Sequence, residues 1–245
     1  MGEDGSGRNA ESRNLITDAE HPRFYGRRRG RTLRRIPQSL VDRLLPKLAT
    51  PDPADGPVDP AGLFAASKRA YWLEIGFGGG EHLVAQAAAN PDVGLIGAEP
   101  FLTGVAACLG RVEASGVGNI RICPDDARPL MAAMPEGAMA RIFVLQPDPW
   151  RKRRHADRRL IGPVGLDYIA RSLADNGELR ISTDDPGYQV WMLQHLRADA
   201  RFEWRPERAD DWRLPGADWP ETRYAAKALQ AGRPNLFLRL RRLPR

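Results

Sequence analysis

The chain has little cysteine, with only Cys108 and Cys123 among its 245 residues. Both cysteines lie in apolar segments, and their separation does not match the paired spacing of zinc ligands. Two such residues are typical of buried free thiols in a reducing compartment. We therefore expect no disulfide framework and no metal site, and we expect the protein to lie in the cytoplasm.

Long apolar runs are also missing, since none approaches the about 18 residues that a membrane-spanning helix needs. The first residues are too polar for a secretory signal peptide. A content of 42% hydrophobic and 28% charged residues is ordinary for a globular protein. This length allows one well-buried domain with appendages, or two small domains, and no membrane association is expected.

Lysine is scarce, because only four of the 37 basic residues are lysines. The formal net charge of +6 favours an anionic partner, but arginine richness alone can reflect genome composition. The distribution of charge is more informative than the total. Basic residues concentrate in three segments, at 21–35, 151–159 and 239–245. Three separate clusters favour a nucleic-acid-binding surface over a uniformly solvated one.

The organisation of the chain changes twice along its length. Residues 1–20 are polar and unpatterned, so we expect a disordered tail. Residues 21–62 combine a basic arm, a short amphipathic helix at 39–48 and a linker rich in proline, aspartate and glycine. The third region, 63–245, is expected to form one folded domain.

Within that domain, short apolar runs alternate with helical patterns. The predicted strands cover 71–76, 93–99, 119–124, 140–147, 177–183, 201–207 and 235–243. The predicted helices cover 80–90, 101–116, 127–133, 158–174 and 186–198. This alternation predicts an α/β fold with a mostly parallel sheet and helices on both faces. Ligands bind such sheets at the carboxyl ends of the strands.

The first strand is followed by a glycine-rich turn, "EIGFGGG", in which Glu74 precedes Gly76 and Gly78. Glycines let the backbone turn tightly and approach a ligand, and the next helix offers free amide groups. A dinucleotide-binding G-x-G-x-x-G turn would need glycine at position 81, which is Glu81. The form E-x-G-x-G is instead typical of S-adenosylmethionine-dependent methyltransferases, where the acid orients the amino-acid end of the cofactor.

Two further strands also end in acids. Glu99 lies about 20 residues beyond the glycines, where a carboxylate suits hydrogen bonding to ribose hydroxyls. Asp125 and Asp126 follow the third strand and could reach an adenine amino group. Each aspartate alone is equally well explained as a helix N-cap. Acids at three successive strand ends together predict S-adenosylmethionine as the cofactor.

The fourth strand leads into "QPDPWRKRRHADRRL", residues 146–160, where Asp148 lies between two prolines. The prolines favour extended backbone and remove N–H donors, so the carboxylate is expected to face the path of methyl transfer. Trp150 could line the pocket or anchor the core. The basic residues that follow could hold phosphates, or could form a solvated helix.

Five segments together resemble the tRNA (guanine-N7-)-methyltransferase family over about residues 70–245: "EIGFGGG", "GAEPFLTGV", "PDPWRKRRHADRRL", "STDDPGY" and "TRYAAKALQAG". The basic segment "FYGRRRGRTLR" shows a weaker likeness. The resemblance implies a Rossmann-like class I methyltransferase with a seven-stranded sheet. It also implies S-adenosylmethionine as the cofactor and a guanine at position 46, in the variable loop of tRNA, as the target.

The same resemblance implies roles for individual residues. Those expected to contact the cofactor are Glu74, Gly76, Gly78, Glu99 and Asp126. Asp148 is implied as the active-site acid. Those implied to contact the guanosine region are Lys152, Asp184, Thr222, Arg223, Tyr224 and Ala225. Ala225 replaces an acid common in the family, for which Glu221 or Asp185 could substitute, and Gln146 replaces an aromatic residue with an expected effect on packing only.

The tRNA backbone is expected to be held by arginines, and binding should weaken with salt. The candidates are Arg27, Arg28, Arg29, Arg154 and Arg158. Arg158 and its neighbour Arg159 could instead pair with acids of the fold. His155 is expected to be a hydrogen-bonding loop residue, since methylation at guanine N7 needs no general base.

Two other function classes remain at this stage. One is a methyltransferase of the same fold that acts on a protein or small molecule, which leaves the basic clusters unexplained. The other is a non-catalytic RNA-binding protein with an unused cofactor pocket. The expected acting unit is a monomer, with a homodimer as the alternative.

Overall fold

The computed structural model describes residues 26, 28, 32–220 and 232–245. Its centre is a seven-stranded sheet with the order β3-β2-β1-β4-β5-β7-β6. The strands are β1 (Ala70–Ile75), β2 (Val93–Ala98), β3 (Ile120–Cys123), β4 (Met139–Leu145), β5 (Leu173–Thr183), β6 (Phe202–Glu203) and β7 (Leu236–Arg242). Strands β1 to β5 are parallel, and β7 runs antiparallel to both β5 and β6. The predicted α/β fold with a mostly parallel sheet is confirmed.

Helices cover both faces of this sheet. They are α1 (Arg35–Leu48), α2 (Glu81–Ala89), α3 (Leu102–Ser115), α4 (Ala127–Ala133), α5 (Pro163–Ser172), α6 (Pro186–Ala198) and α7 (Asp210–Arg213). Short 3-10 helices cover Pro53–Asp55, Pro60–Leu63 and Arg153–Arg158. One apolar cluster joins α1, α2 and α3 to the sheet, and a second joins α4, α5 and α6 to it. Strand β2, which lies between β3 and β1, is buried along its whole length, which explains its uninterrupted apolar sequence.

The segment before β1 contacts both clusters. Leu40 and Leu44 of α1 pack against the cluster that includes α3. Ala49 forms a parallel bridge with Ile122 of β3, and Val58 is buried with its N–H bonded to the carbonyl of Ala133. The tail at 1–20 lies outside the described residues. No helix in the described part of the chain is long and apolar enough to cross a membrane.

Two predicted elements are shorter than expected, and two others, α1 and β5, begin four residues earlier than expected. The helix expected over 158–174 begins only at Pro163, because proline has no N–H to donate and fits the first turn of a helix. From Leu173 the chain already belongs to β5. The strand expected over 201–207 is limited to Phe202–Glu203, because the carboxylate of Asp211 accepts the N–H groups of Glu207 and Arg208 and turns the chain away.

Parallel strands place the acids of the sequence along one edge. Glu74 lies near the end of β1, and Glu99 directly follows β2. Asp126 follows β3, Asp148 follows β4 and Asp184 directly follows β5. These five residues come from distant parts of the chain, so the sheet itself assembles the candidate site.

Candidate active site

A cavity of about 580 Å³ opens at this edge of the sheet. Many of the predicted site residues line it: Glu74, Gly76, Gly78, Glu99, Asp126, Asp148 and Arg158. Lys152 and Asp184 do not line the cavity. Thr222, Arg223, Tyr224 and Ala225 lie outside the described residues, as do Arg27 and Arg29.

The glycine turn after β1 forms the floor of the cavity. Gly76, Gly78 and Gly80 have φ angles of 75°, 55° and 78°, which are left-handed conformations that strain other residues. The turn also approaches α3 closely, because a Cβ atom on Gly104 would lie 2.5 Å from the carbonyl oxygen of Gly78. Glycine is therefore required on both sides of this contact.

Glu99 holds the glycine turn from the neighbouring strand. Its Oε2 accepts the N–H of Gly78 at 2.8 Å, and its Oε1 accepts the N–H of Phe101 at 2.8 Å. Burial raises the pKa of Glu99, the two N–H groups partly offset that rise, and the charges of Asp148 and Glu74 add to it. The carboxylate thus supports the turn while it lines the cavity.

Asp126 is an N-cap as well as a cavity residue. Its Oδ1 accepts the N–H of Arg128 at 3.0 Å, and its Oδ2 accepts a hydrogen bond from the Arg128 guanidinium at 2.9 Å. The neighbouring Asp125 pairs with Arg28 at 2.5 Å. The capping alternative therefore describes Asp126 correctly, and the cap fixes the carboxylate at the cavity wall.

The loop that carries Asp148 is held at both ends. Before it, Gln146 has a φ of 53°, and after it, Trp150 has a φ of 41°. Such angles cost about 1–3 kcal/mol for residues other than glycine, so surrounding contacts must maintain them. Gln146 donates to Asn235 at 2.7 Å and accepts the N–H of Asp184 at 3.2 Å. The expectation that Gln146 affects packing only was wrong, since its amide joins the ends of β4, β5 and β7.

Arg159 holds the other end of the loop. Its Nε donates to the carbonyl of Pro149 at 2.8 Å, and its guanidinium lies 4.7 Å from the ring centre of Trp191. Arg159 thus has a structural role, but through backbone carbonyls and aromatic rings and not through the acids that the sequence alternative named. Between these two anchors, the Asp148 side chain is exposed at the cavity mouth, with no hydrogen-bonding partner in the part of the chain that the structure describes.

The basic segment after Asp148 is a 3-10 helix, and its side chains have different surroundings. Arg158 lies 5.1 Å from the ring centre of Trp150, and both line the cavity. Lys152 and Arg154 are exposed. His155 packs edge-on against Trp150 at 5.9 Å. Partial desolvation, followed by the charges of Arg158, Arg154 and Lys152, lowers the pKa of His155 below its usual value.

The acids after β5 are engaged with arginines. Arg233 donates to the Asp184 carboxylate at 2.7 Å. Asp185 caps α6 through the N–H of Tyr188 and pairs with Arg151 at 2.8 Å. Sequence reasoning missed several residues that line the cavity, among them Arg128, Asp157 and His82. His82 is buried and bonded to Glu74.

The donor set fits S-adenosylmethionine. Glu74, Glu99 and Asp126 lie at the ends of the neighbouring strands β1, β2 and β3, and all three line the cavity. In this order, their carboxylates can accept hydrogen bonds from an ammonium group, a ribose diol and an adenine amino group. The left-handed glycine turn brings backbone close to the same space. Among the described residues, no group of three or more histidine, cysteine or acidic side chains could hold a metal ion.

Fold and site together define a class I S-adenosylmethionine-dependent methyltransferase. The fold is shared with the solved 16S rRNA methyltransferase KamB, which is 16% identical and has a TM-score of 0.52 over 72% of this chain and 89% of that one. It is also shared with TrmN from Thermus thermophilus, at 17% identity and a TM-score of 0.50 over 84% of this chain and 48% of that one.

The family follows from sequence. Residues 68–238 match the family Methyltransf_4, described as "Putative methyltransferase". The tRNA (guanine-N(7)-)-methyltransferase of Rhodospirillum rubrum is 54% identical over 92% of this chain and 90% of its own length. The enzyme of the same name from Paramagnetospirillum magneticum is 50% identical over 96% of this chain and 99% of its own length. The chain belongs to the tRNA (guanine-N(7)-)-methyltransferase family.

The contact between Gly104 and the glycine turn gives a first prediction. We expect Gly104→Ala to weaken the binding of S-adenosylhomocysteine about tenfold and to lower the free energy of unfolding by about 1–3 kcal/mol, because the new methyl group must displace the Gly78 carbonyl. Gly110→Ala in the same helix is the control, since its Cβ would meet only Leu40 at 3.5 Å. Calorimetric titration and thermal unfolding measure both effects. Equal behaviour of the two variants would contradict the proposed contact.

Proposed function

We propose that this protein transfers a methyl group from S-adenosylmethionine to N7 of the guanine at position 46 of tRNA. The observation that carries this proposal is the exposed Asp148, without a partner among the described residues, at the mouth of the cofactor cavity and next to a basic segment. The family membership supports the same reaction. The specific guanine follows from the resemblance of the chain's motifs to that family.

Methylation at guanine N7 requires alignment of the reacting atoms and stabilisation of the positive charge that forms. It requires no general base. Guanine N7 carries a lone pair in the ring plane and is unprotonated at neutral pH, so it can attack a methyl group directly. When bound, S-adenosylmethionine supplies that methyl group on a positively charged sulfur. Asp148 can accept hydrogen bonds from guanine N1–H and the exocyclic amine, and its charge stabilises the cation that forms on the purine.

Glu74, Glu99 and Asp126 hold the cofactor in this proposal, together with the backbone of Gly76 and Gly78. Asp184, at the end of β5, contributes to the guanosine region in this proposal. Binding of the base there would replace the ion pair between Asp184 and Arg233. The segment at 222–225 is proposed to complete that region.

The tRNA backbone is proposed to lie along the exposed basic segment. Lys152 and Arg154 reach solvent there, and Arg158 stands between this surface and the cavity. Arg27, Arg28 and Arg29 are proposed to extend the same surface, because Arg28 pairs with Asp125, the neighbour of the cavity residue Asp126. Such contacts are sequence-independent and hold the tRNA while the site aligns the base.

The acting unit is proposed to be a monomer in the cytoplasm. Both Cys108 and Cys123 are free and buried, and burial raises the pKa of their thiols to about 12 and about 11. Thiols of this kind are unreactive, as expected for packing residues in a reducing compartment.

Labelled S-adenosylmethionine distinguishes the proposed function from its alternatives. The protein is incubated with unmodified tRNA, with the same tRNA carrying adenine at position 46, with a protein mixture and with small amines. We expect label only in the unmodified tRNA, and aniline-induced cleavage at position 46. Label in protein or amines would instead identify the alternative methyltransferase, and tRNA binding without label in any substrate would identify a non-catalytic RNA-binding protein.

A further inference from the structure

A buried row of polar side chains lies behind Glu74. His82 Nδ1 is 2.7 Å from Glu74 Oε2, and His82 Nε2 is 3.3 Å from Gln86 Nε2. The same Gln86 nitrogen donates to the backbone carbonyl of Asp218 at 2.7 Å. All three side chains are at most 3% exposed. The row thus runs from the cofactor cavity to the segment at 218–220, which directly precedes the proposed guanosine-contacting residues.

The hydrogen bonds of Gln86, at the far end of this row, determine which nitrogen of His82 carries a proton. A backbone carbonyl can only accept, so the Gln86 atom beside Asp218 must be the amide nitrogen. The second hydrogen of that nitrogen faces His82 Nε2, which must therefore be an acceptor without a proton. His82 is then the neutral tautomer with its proton on Nδ1, and it donates that proton to Glu74 Oε2.

The position of the imidazole ring is also fixed. It packs edge-on against Phe143 at 4.6 Å, and Trp219 lies 6.4 Å away on another side. The hydrogen bond from His82 occupies one oxygen of Glu74, and no described residue bonds the other, Oε1. Glu74 therefore presents one oriented oxygen towards the cavity.

We propose that His82 is a positioning residue that orients Glu74 towards the ammonium end of S-adenosylmethionine. The proposal rests on the cofactor site of the proposed function. It goes beyond that function, because the protonation state of His82 decides the net charge of the site. A neutral histidine leaves the full negative charge on Glu74, which attracts an ammonium group. A doubly protonated histidine would neutralise that charge, and Gln86 prevents this state by presenting a donor to Nε2.

Binding of two cofactor fragments tests the orientation of Glu74. S-Adenosylhomocysteine carries the amino-acid end, and 5′-methylthioadenosine lacks it. His82→Phe keeps a ring of similar size but removes the hydrogen bond. We expect this variant to bind S-adenosylhomocysteine at least about tenfold more weakly and 5′-methylthioadenosine within about twofold of the unaltered protein, by calorimetric titration without tRNA. We expect His82→Asn, whose amide can replace the Nδ1–H donor, to restore most of the affinity.

Nitrogen NMR shifts test the tautomer directly. In the unaltered protein we expect the His82 Nε2 signal of an unprotonated nitrogen and the Nδ1 signal of a protonated one. In Gln86→Glu the side chain offers an acceptor to Nε2, so both nitrogens should be protonated, and the affinity for S-adenosylhomocysteine alone should fall.

Several outcomes would overturn the inference. One is that His82→Phe loses affinity equally for both fragments, and another is that it keeps its affinity for S-adenosylhomocysteine. A third is that Nε2 of His82 carries a proton in the unaltered protein. If the unaltered protein binds neither fragment, the cofactor site itself is wrong and the inference fails with it. Failure of the tRNA assay alone, with these binding differences present, would refute the substrate and leave the role of His82 in place.

Discussion

Asp148→Asn is expected to lower kcat for tRNA methylation by about 100-fold or more, while the affinity for S-adenosylhomocysteine changes less than about threefold. Asparagine has the same shape but no charge, so it cannot stabilise the positive charge that develops on guanine as N7 is methylated. The hydrogen bonds that anchor the loop involve Gln146 and Arg159, which the substitution leaves in place. Single-turnover methylation at saturating cofactor measures the chemical step, and calorimetric titration measures binding.

Asp157→Asn is the matched control for that experiment. Asp157 lines the same cavity from the basic 3-10 helix, but no contact with guanine is proposed for it. We expect its methylation rate to stay within about threefold of the unaltered protein. A loss below about tenfold in Asp148→Asn, with cofactor binding retained, would contradict its role as the active-site acid. Equal losses in both variants would show that the cavity needs only net negative charge.

The sheet and its order of elements were predictable because buried parallel strands carry a strong signal. Continuous apolar runs such as that of β2 occur where both faces of a strand are covered. The carboxyl ends of such strands meet at one edge, so acids at the ends of three of them predicted a shared site. Glu74, Glu99 and Asp126 do line one cavity.

Side-chain contacts across loops were not predictable in the same way. Arg159 reaches back ten positions to the Pro149 carbonyl, and this depends on how the loop folds. In the sequence it is one arginine of a basic run, with no feature that separates it from Arg158. Helical spacing can place His82 on the buried side of α2, but only the glycine turn brings it to Glu74.

Glu99→Gln is expected to weaken the binding of S-adenosylhomocysteine about 100-fold. Both oxygens of Glu99 accept backbone N–H groups, from Gly78 and Phe101. Glutamine replaces one oxygen with an NH₂ group, so one of these donors loses its partner at a cost of about 1–3 kcal/mol, and one acceptor for the ribose is lost as well. Calorimetric titration with S-adenosylhomocysteine measures the change, and Glu113→Gln, at an exposed ion pair of α3 with Arg43, is the control.

A pair of probes separates the two roles of Glu99, as ribose ligand and as support of the glycine turn. In the unaltered protein, 5′-methylthioadenosine should bind more tightly than its 2′,3′-dideoxy analogue, and in Glu99→Gln the two should bind almost equally. An unchanged ratio would show that Glu99 supports the turn without touching the ribose. Because burial raises the pKa of Glu99, the affinity should also fall on acidification at a higher pH than for an exposed glutamate. Asp148→Asn removes a charge that adds to this rise, so it should move the fall in affinity to lower pH.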